Sequence, residues 1–184
     1  MFLNEMSREN YLRVTTVLYP FSGLQHIDPD VLANAARRGT KVHQICEAIA
    51  ADLGELGIDD ETRPYVESFK QWWNTGIKVV SMEERFWDDE LQITGQCDFI
   101  IEDERGMGIV DLKTSSKPSK TWEPQGNAYA MLATAAGYPI KFIQFIHLNK
   151  FGKPPKIIEY SVKIPFFLAI LTTFKHFFYR CNHE

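Results

Sequence analysis

The sequence of 184 residues predicts an α/β fold in which strands are covered by helices. Apolar residues recur at helical spacing in some segments and alternate or run continuously in others, and Gly, Pro or acidic turns separate the segments. The core segments follow in the order helix, three strands, helix, strand. No repeat, low-complexity tract or Gly/Ser-rich linker interrupts them, so we expect one domain over residues 1–184.

The N-terminal third predicts a short strand and two helices. A short strand is expected at residues 13–18, before a loop that contains Pro and Gly. Asp30 can cap a helix that runs to about Leu53 and bends at Gly39. A second helix is expected at about 61–74.

The remainder predicts a β-rich centre followed by alternating helices and strands. Three strand-like runs separated by acidic turns indicate an antiparallel meander. A helix that stops at Gly137, two further strands and an aromatic C-terminal helix follow. The expected ranges are 78–87, 91–102 and 107–114 for the meander, 124–136 for the helix, 141–148 and 156–162 for the strands, and from about 165 for the last helix.

The net charge argues against an ordinary nucleic-acid-binding domain, but its distribution does not. The net charge is −4, whereas phosphate-binding domains are usually basic. Residues 1–111 carry 10 Lys/Arg and 21 Asp/Glu, a net charge of −11, and residues 112–184 carry 10 and 3, a net charge of +7. This asymmetry predicts an anionic partner and a carboxylate-rich site facing it.

The cysteine pattern and the apolar segments indicate an intracellular protein. Cys46, Cys97 and Cys181 are widely spaced and support neither a disulfide framework nor a four-cysteine zinc site. The first ten residues are charged and lack the apolar stretch of a signal peptide. The longest apolar stretch, 164–173, has about half of the roughly 20 residues that a membrane span needs. We therefore expect a cytoplasmic protein with no membrane segment.

The strongest chemical signal is the strand that ends in Asp111-Leu112-Lys113. Because successive side chains of a strand alternate faces, Asp111 and Lys113 project together, while Val110 and Leu112 point to the apolar side. A meander would bring Asp98 of the preceding strand beside Asp111. Two such carboxylates can hold Mg²⁺ or Mn²⁺ through oxygen atoms, with Lys113 alongside to offset negative charge or orient a water.

A single Asp-x-Lys triplet more often consists of solvated strand residues than of a site. Here the triplet ends a strongly apolar strand, precedes a polar Ser/Lys loop and has a partner Asp one hairpin away. These three features together favour a site.

Four ordered elements support a family resemblance. They are Gly39, His43 and Glu47 on the first long helix, Gly95 with Asp98, the run Asp111-Leu112-Lys113, and Gln125 with Tyr129 on the helix after the lysine. Their types and spacing resemble the PD-(D/E)XK nuclease superfamily, and within it the RecB-type exonuclease branch of RecB-like, Cas4-like and phage-type enzymes.

The resemblance implies a restriction-endonuclease-like core, with a central mixed β-sheet flanked by helices in αβββαβ order, as a single PD-(D/E)XK nuclease domain. It also implies an Mg²⁺- or Mn²⁺-binding site, and no iron–sulfur cluster is expected because three scattered cysteines cannot supply four thiolates. The implied metal ligands are His43, Asp98, Asp111, the main-chain carbonyl of Leu112 and, in the same shell or at a second ion, Glu47.

The resemblance implies catalytic roles for six residues: Asp98, Asp111, Lys113, Glu47, Gln125 and Tyr129. Lys113 would orient or help deprotonate the attacking water, and Gln125 and Tyr129 would position the scissile strand. Considered alone, His43 and Glu47 are more often a solvated helix pair. Gln125 and Tyr129 could equally lie on the exposed side of an amphipathic helix.

The polar loop after Lys113 is the predicted DNA contact. Ser115, Ser116, Lys117 and Lys120 can bind backbone phosphates without reading bases. Trp122 could stack on an unpaired base, or it could have a core or hinge role. The aromatic C-terminal helix is expected to be mainly core, and its remaining apolar surface could serve a homo-oligomer interface.

These features predict a metal-dependent deoxyribonuclease, an end-dependent exonuclease in DNA recombination or repair. By resemblance it would act in the cytoplasm of a bacterium or a phage-infected cell, with an annealing protein or a helicase as a candidate partner. A structure-selective endonuclease on the same core and a non-catalytic nucleic-acid-binding adaptor remain as alternatives. The intact set of Asp98, Asp111 and Lys113 argues against the adaptor.

Overall fold

The computed structural model describes residues 8–179; residues 1–7 and 180–184, which include Cys181, lie outside the described part. A very short strand and three helices come first in the chain, and the strands of the sheets alternate with two further helices after them. In chain order the elements are β1 (Leu12–Arg13), α1 (Val14–Leu18), α2 (Pro29–Ala50), α3 (Arg63–Trp73), β2 (Lys78–Met82), β3 (Arg85–Asp88), β4 (Ile93–Gln96), β5 (Phe99–Asp103), β6 (Gly106–Lys113), α4 (Trp122–Ala135), β7 (Ile140–His147), β8 (Lys156–Ser161) and α5 (Ile164–Phe174).

A five-stranded mixed sheet forms the centre, in the order β2-β5-β6-β7-β8. Strands β6 and β7 are parallel, and the other neighbours are antiparallel. Helices α2 and α3 pack on the face of Val110 and Leu112, and helices α4 and α5 pack on the face of Ile109 and Phe145. The predicted α/β fold, with a central mixed sheet flanked by helices, is confirmed.

The expected meander is divided between two sheets. Each of its first two strands is broken, so residues 78–87 form β2 and β3, and residues 91–102 form β4 and β5. Strands β1, β4 and β3 make a separate three-stranded sheet. The breaks lie at Glu83, which has a left-handed backbone with φ of 49°, and at Asp98, whose carbonyl accepts the N–H of Glu83 at 2.9 Å.

The strand predicted at 13–18 is wrong, because these residues begin in β1 and continue as helix α1. Val14, Val17 and Leu18 are buried on one side of that helix, so the packing of a helical face prevails over β propensity. The cap predicted at Asp30 is also displaced. Asp28 caps α2 by accepting hydrogen bonds from the backbone N–H groups of Asp30 and Val31 at 2.9 and 3.2 Å.

Two glycines allow α4 to lie directly on the sheets. A Cβ atom at Gly126 would be 2.3 Å from Ile143 on β7, and one at Gly95 on β4 would be 2.9 Å from the ring of Tyr129. Both contacts are too close for any side chain, so α4 is held against β4 and β7. This contact sets the position of Tyr129 and, one turn earlier, of Gln125.

Within residues 8–179, no helix is long and apolar enough to cross a membrane.

We expect Gly126→Ala to lower the free energy of unfolding by about 1–3 kcal/mol, because the added methyl must displace Ile143 or lift α4 from the sheet. Urea unfolding followed by circular dichroism measures the loss. Ala135→Ser is the matched control, since it adds one heavy atom at an exposed position of the same helix. Equal stability of Gly126→Ala and the wild type would contradict the packing described.

Candidate active site

Asp98 stands where the chain passes from β4 to β5, next to the C-terminal end of β6. Its Oδ2 accepts a hydrogen bond from the backbone N–H of Leu112, and its Oδ1 lies 3.1 Å from Nδ1 of His43 on α2. The carboxylate is buried. Because strand β5 begins only at Phe99, the backbone of Leu112 has a side chain instead of a neighbouring strand as its partner on that side.

Asp111 lies on the opposite face of β6 from Leu112 and is 4% exposed. Nζ of Lys113, two residues further along the same face, is 2.5 Å from Oδ2 of Asp111. The angles are unsuitable for a hydrogen bond, so this buried oxygen has an ion-pair partner but no hydrogen-bond donor. The ammonium group of Lys113 also lies 5.2 Å from the ring centre of Phe145.

The pKa values of these groups reflect burial and their mutual charges. Burial raises the pKa of Asp111 to about 6, with repulsion from Asp98 adding to it and the attraction of Lys113 opposing it. Burial acts in the same direction on Asp98, but the attraction and hydrogen bond of His43 and the N–H of Leu112 outweigh it and lower its pKa. Burial would lower the pKa of His43, yet the attraction of Asp98 raises it.

The helix α2 brings His43 to this cluster and places Glu47 one turn later. Gly39, one turn before His43, permits the approach, because a Cβ atom there would be 3.3 Å from Oγ1 of Thr114. Glu47 is partly buried, and its charge contributes to the raised pKa of Glu83. The structure therefore brings His43, Asp98, Asp111 and Lys113 together and leaves Glu47 at the side near Glu83.

Glu83 is a neighbouring carboxylate that the sequence analysis did not identify. Its Oε2 accepts a hydrogen bond from Nε2 of Gln96 at 2.6 Å. Burial, repulsion from Asp98 and repulsion from Glu47 raise its pKa to about 7, against the hydrogen bond of Gln96. The signal that could have found it is strand register, since β2 pairs Met82 with Phe99 and so sets Glu83 beside Asp98.

Gln125 and Tyr129 are both buried, so the reading in which they occupy the exposed side of an amphipathic helix is wrong. Nε2 of Gln125 donates a hydrogen bond to the phenol oxygen of Tyr129 at 2.9 Å. Burial and the nearby charge of Asp111 raise the pKa of Tyr129 well above its usual value, so the phenol keeps its proton. Tyr129 thus orients Gln125, whose side chain lines a cleft beside Lys113.

The loop between β6 and α4 is exposed at Ser115, Ser116, Lys117 and Lys120. Its base is attached to the sheet, because Nε2 of His147 lies 2.6 Å from the carbonyl oxygen of Ser115. The predicted DNA-binding residues on this loop are therefore accessible from solvent.

Trp122 does not belong to this accessible set. It begins α4, is 3% exposed and stacks on Phe145 with ring centres 5.4 Å apart and an interplanar angle of 12°. His147 packs edge-on against it at 5.3 Å. With its ring covered in this way Trp122 is a core residue, and its prediction as a base-stacking residue is wrong.

Comparison with protein families gives a match over the central part of the chain. Residues 57–145 match the model of the PD-(D/E)XK nuclease superfamily, a range that contains Asp98, Asp111 and Lys113 and begins after His43. No curated protein matches the chain.

Two solved structures are similar over nearly the whole chain. An alkaline exonuclease from Laribacter hongkongensis has a TM-score of 0.46 and 12% identity, with 96% of this chain and 95% of that chain covered. The protein SSO0001 has a TM-score of 0.41 and 14% identity, with 98% and 85% covered.

Nucleases of this superfamily generally use divalent metal ions. The residues at this site are of the chemical types that bind such ions. Two carboxylates and an imidazole are suitable ligands, and Oδ2 of Asp111 is a buried oxygen without a hydrogen-bond donor. The side chains face their own neighbours, however, since Asp111 contacts Lys113 and Asp98 contacts His43. Within residues 8–179, no three His, Cys, Asp or Glu side chains are grouped to hold an ion.

We expect Asp111→Asn to stabilise the metal-free protein at neutral pH. The folded-state pKa of Asp111, about 6, is above the ordinary value of 3.8, so wild-type stability falls as pH rises from about 4 to about 6 and then stays low. The amide cannot lose a proton. The free energy of unfolding of the variant should therefore exceed that of the wild type by about 1–3 kcal/mol at pH 7, and the difference should vanish near pH 4.

Thermal unfolding at several pH values in a chelating buffer measures this difference. In a buffer without chelator, Mn²⁺ at pH 7 should raise the melting temperature of the wild type more than that of Asp111→Asn, because only the wild type has the carboxylate of Asp111 as a ligand. A variant less stable than the wild type at pH 7 would show that the ion pair with Lys113 outweighs the burial of the charge.

Proposed function

We propose that this chain is a metal-dependent nuclease that hydrolyses phosphodiester bonds of DNA, and that it acts as an end-dependent exonuclease. One observation carries the proposal. In a chain whose residues 57–145 match the nuclease superfamily model, Asp98 and Asp111 are both buried, where β5 begins and where β6 ends, and the charge of Asp98 raises the pKa of Asp111. Lys113 lies on the same face as Asp111. A buried pair of carboxylates costs stability, and such costs are concentrated at functional sites.

The residues that would hold a divalent ion are Asp98, Asp111, His43 and the main-chain carbonyl of Leu112. In a strand the N–H and C=O of one residue point to the same side, so the hydrogen bond from the N–H of Leu112 to Asp98 supports this use of its carbonyl. Glu47 and Glu83 add negative charge beside this set. Bound Mg²⁺ or Mn²⁺ supplies stabilisation of phosphoryl charge and an activated water.

Lys113 has the central role among the remaining residues. Its ammonium group is held between Asp111 and the ring of Phe145, so it is available to orient the attacking water and to offset negative charge in the transition state. The backbone N–H of Leu148 donates to the carbonyl of Lys113 at 2.8 Å and holds the end of β6 in place. Rigid placement of this kind is what catalysis by orientation requires.

Gln125 and the serine and lysine side chains of the loop would position the DNA strand. Gln125 lines the cleft next to Lys113 and is oriented by Tyr129. Ser115, Ser116, Lys117 and Lys120 would bind backbone phosphates, a contact that fixes register without reading sequence.

The same residues support assignment to one branch of the superfamily. The position of His43 against Asp98, with the pair of Gln125 and Tyr129, supports the RecB-type branch and through it a role in DNA recombination or repair. A structure-selective endonuclease on the same core is the second candidate.

Lys113→Ala and Asp111→Ala should each lower the rate of DNA cleavage by at least about 100-fold, since the first removes a positive charge beside the reacting phosphate and the second removes a proposed metal ligand. The measurement is release of labelled nucleotides from linear DNA with Mg²⁺ or Mn²⁺, and a chelator should abolish it. Lys141→Ala is the matched control, because this exposed lysine lies at the opposite end of the β6–β7 pair from Lys113. Undiminished cleavage by both alanine variants would contradict the assignment of Asp111 and Lys113 to the active site.

Closed circular DNA should remain intact under conditions in which linear DNA of the same sequence is degraded, because an exonuclease needs a strand end. Gel electrophoresis of both substrates, incubated together, gives the comparison. Nicking of the circle at a rate similar to degradation of the linear form would favour the endonuclease, and no cleavage of either, with DNA still bound, would favour the adaptor.

A further inference from the structure

A cleft of about 820 Å³ opens beside Lys113, between the polar loop and the segment that follows α1. Its volume falls within the range of about 300–1,000 Å³ that is usual for ligand sites. Lys113 and Gln125 lie in its lining, so it is continuous with the candidate active site.

The two walls of the cleft differ in chemistry. One wall is the loop, with Lys117, Lys120 and three serines. The other is apolar and includes Tyr19, Phe21 and Ile27, which are 45%, 38% and 42% exposed. The charged residues of the described lining are all lysines, and no carboxylate is among them.

We propose that this cleft binds one unpaired DNA strand, with its phosphates along the lysine wall and its bases against Tyr19 and Phe21. The inference rests on the proposed function and deepens it by naming the substrate as a single strand. Unpaired bases offer their π-faces to aromatic side chains, whereas the bases of a duplex are already stacked on one another. A wall of exposed rings facing a wall of lysines therefore suits a single strand better than a double helix.

The aromatic wall is held in position before any strand is bound. Phe21 packs edge-on against Phe178 with ring centres 5.9 Å apart. The turn that carries both aromatic residues is closed by Ser22, whose Oγ donates to the carbonyl of Tyr19 at 2.6 Å and accepts from the N–H of Leu24 at 3.1 Å. Stacking on a prearranged surface costs little conformational entropy, which favours binding.

The experiment is fluorescence anisotropy with the full chain in a chelating buffer, so that binding is measured without cleavage. The probes are a labelled oligothymidylate, an abasic strand of the same length and charge, and a duplex of that length. The variants are Tyr19→Leu with Phe21→Leu, and Lys117→Ala with Lys120→Ala. Phe151→Leu is the matched control, because Phe151 is an aromatic residue that is 73% exposed outside the cleft.

We expect the wild type to bind the oligothymidylate more tightly than the duplex or the abasic strand. The aromatic double variant should bind the oligothymidylate about 5- to 100-fold more weakly, with little change for the abasic strand. The lysine double variant should bind all three probes more weakly and reduce the slope of log affinity against log salt by about 1.4 for the single strands. Phe151→Leu should bind like the wild type, and Tyr19→Phe with Phe21→Tyr, which keeps both rings, should retain the affinity that the aromatic double variant loses.

Equal affinity for duplex and single strand would overturn the inference. So would an aromatic variant that loses as much affinity for the abasic strand as for the oligothymidylate, or that loses none. A wild type that binds the single strand as expected but cleaves no DNA with Mg²⁺ or Mn²⁺ would instead overturn the proposed function and leave the strand-binding cleft in place.

Discussion

The hydrogen bond from the backbone N–H of Leu112 to the carboxylate of Asp98 is the constraint on which the candidate site depends. It occurs because β5 begins one residue after Asp98, which leaves the end of β6 without a paired strand on the side opposite β7. The bond holds Asp98 in the interior near Asp111, where two negative charges would repel each other strongly. The fold offsets this repulsion with the cationic group of Lys113 and with His43.

The packing around this pair explains several small residues. Gly39 lets α2 approach the end of β6 and deliver His43, and Gly95 and Gly126 let α4 lie on the sheets and deliver Gln125. A Cβ atom at Gly39, Gly95 or Gly126 would lie 3.3, 2.9 or 2.3 Å from a neighbouring side chain, so that side chain or the helix would have to shift. Glycine inside a helix lowers the stability of that helix, and here it allows His43 and Gln125 to reach the site.

The central part of the fold was predictable from the sequence, because alternation along 107–114 fixes the faces of Asp111 and Leu112 and the hairpin brings Asp98 nearby. Glu83 was missed, since nothing local marks the left-handed backbone that breaks the strand there. Trp122 was misassigned because α4 starts two residues earlier than periodicity suggests and turns the indole into the core. The strand predicted at 13–18 was wrong because Val14, Val17 and Leu18 have helical spacing, and their burial on one side of α1 determines the structure of this segment.

The burial of Trp122 gives the protein an internal optical reporter. Its indole is shielded from water between Phe145 and His147, and Phe145 in turn lies beneath the ammonium group of Lys113. Trp87, by contrast, is 39% exposed on β3. A water-soluble quencher such as iodide therefore reaches Trp87 readily and Trp122 poorly. Emission that survives quenching comes from the buried indoles, which include Trp72 and Trp122, and the ring of Phe145 lies between Trp122 and Lys113.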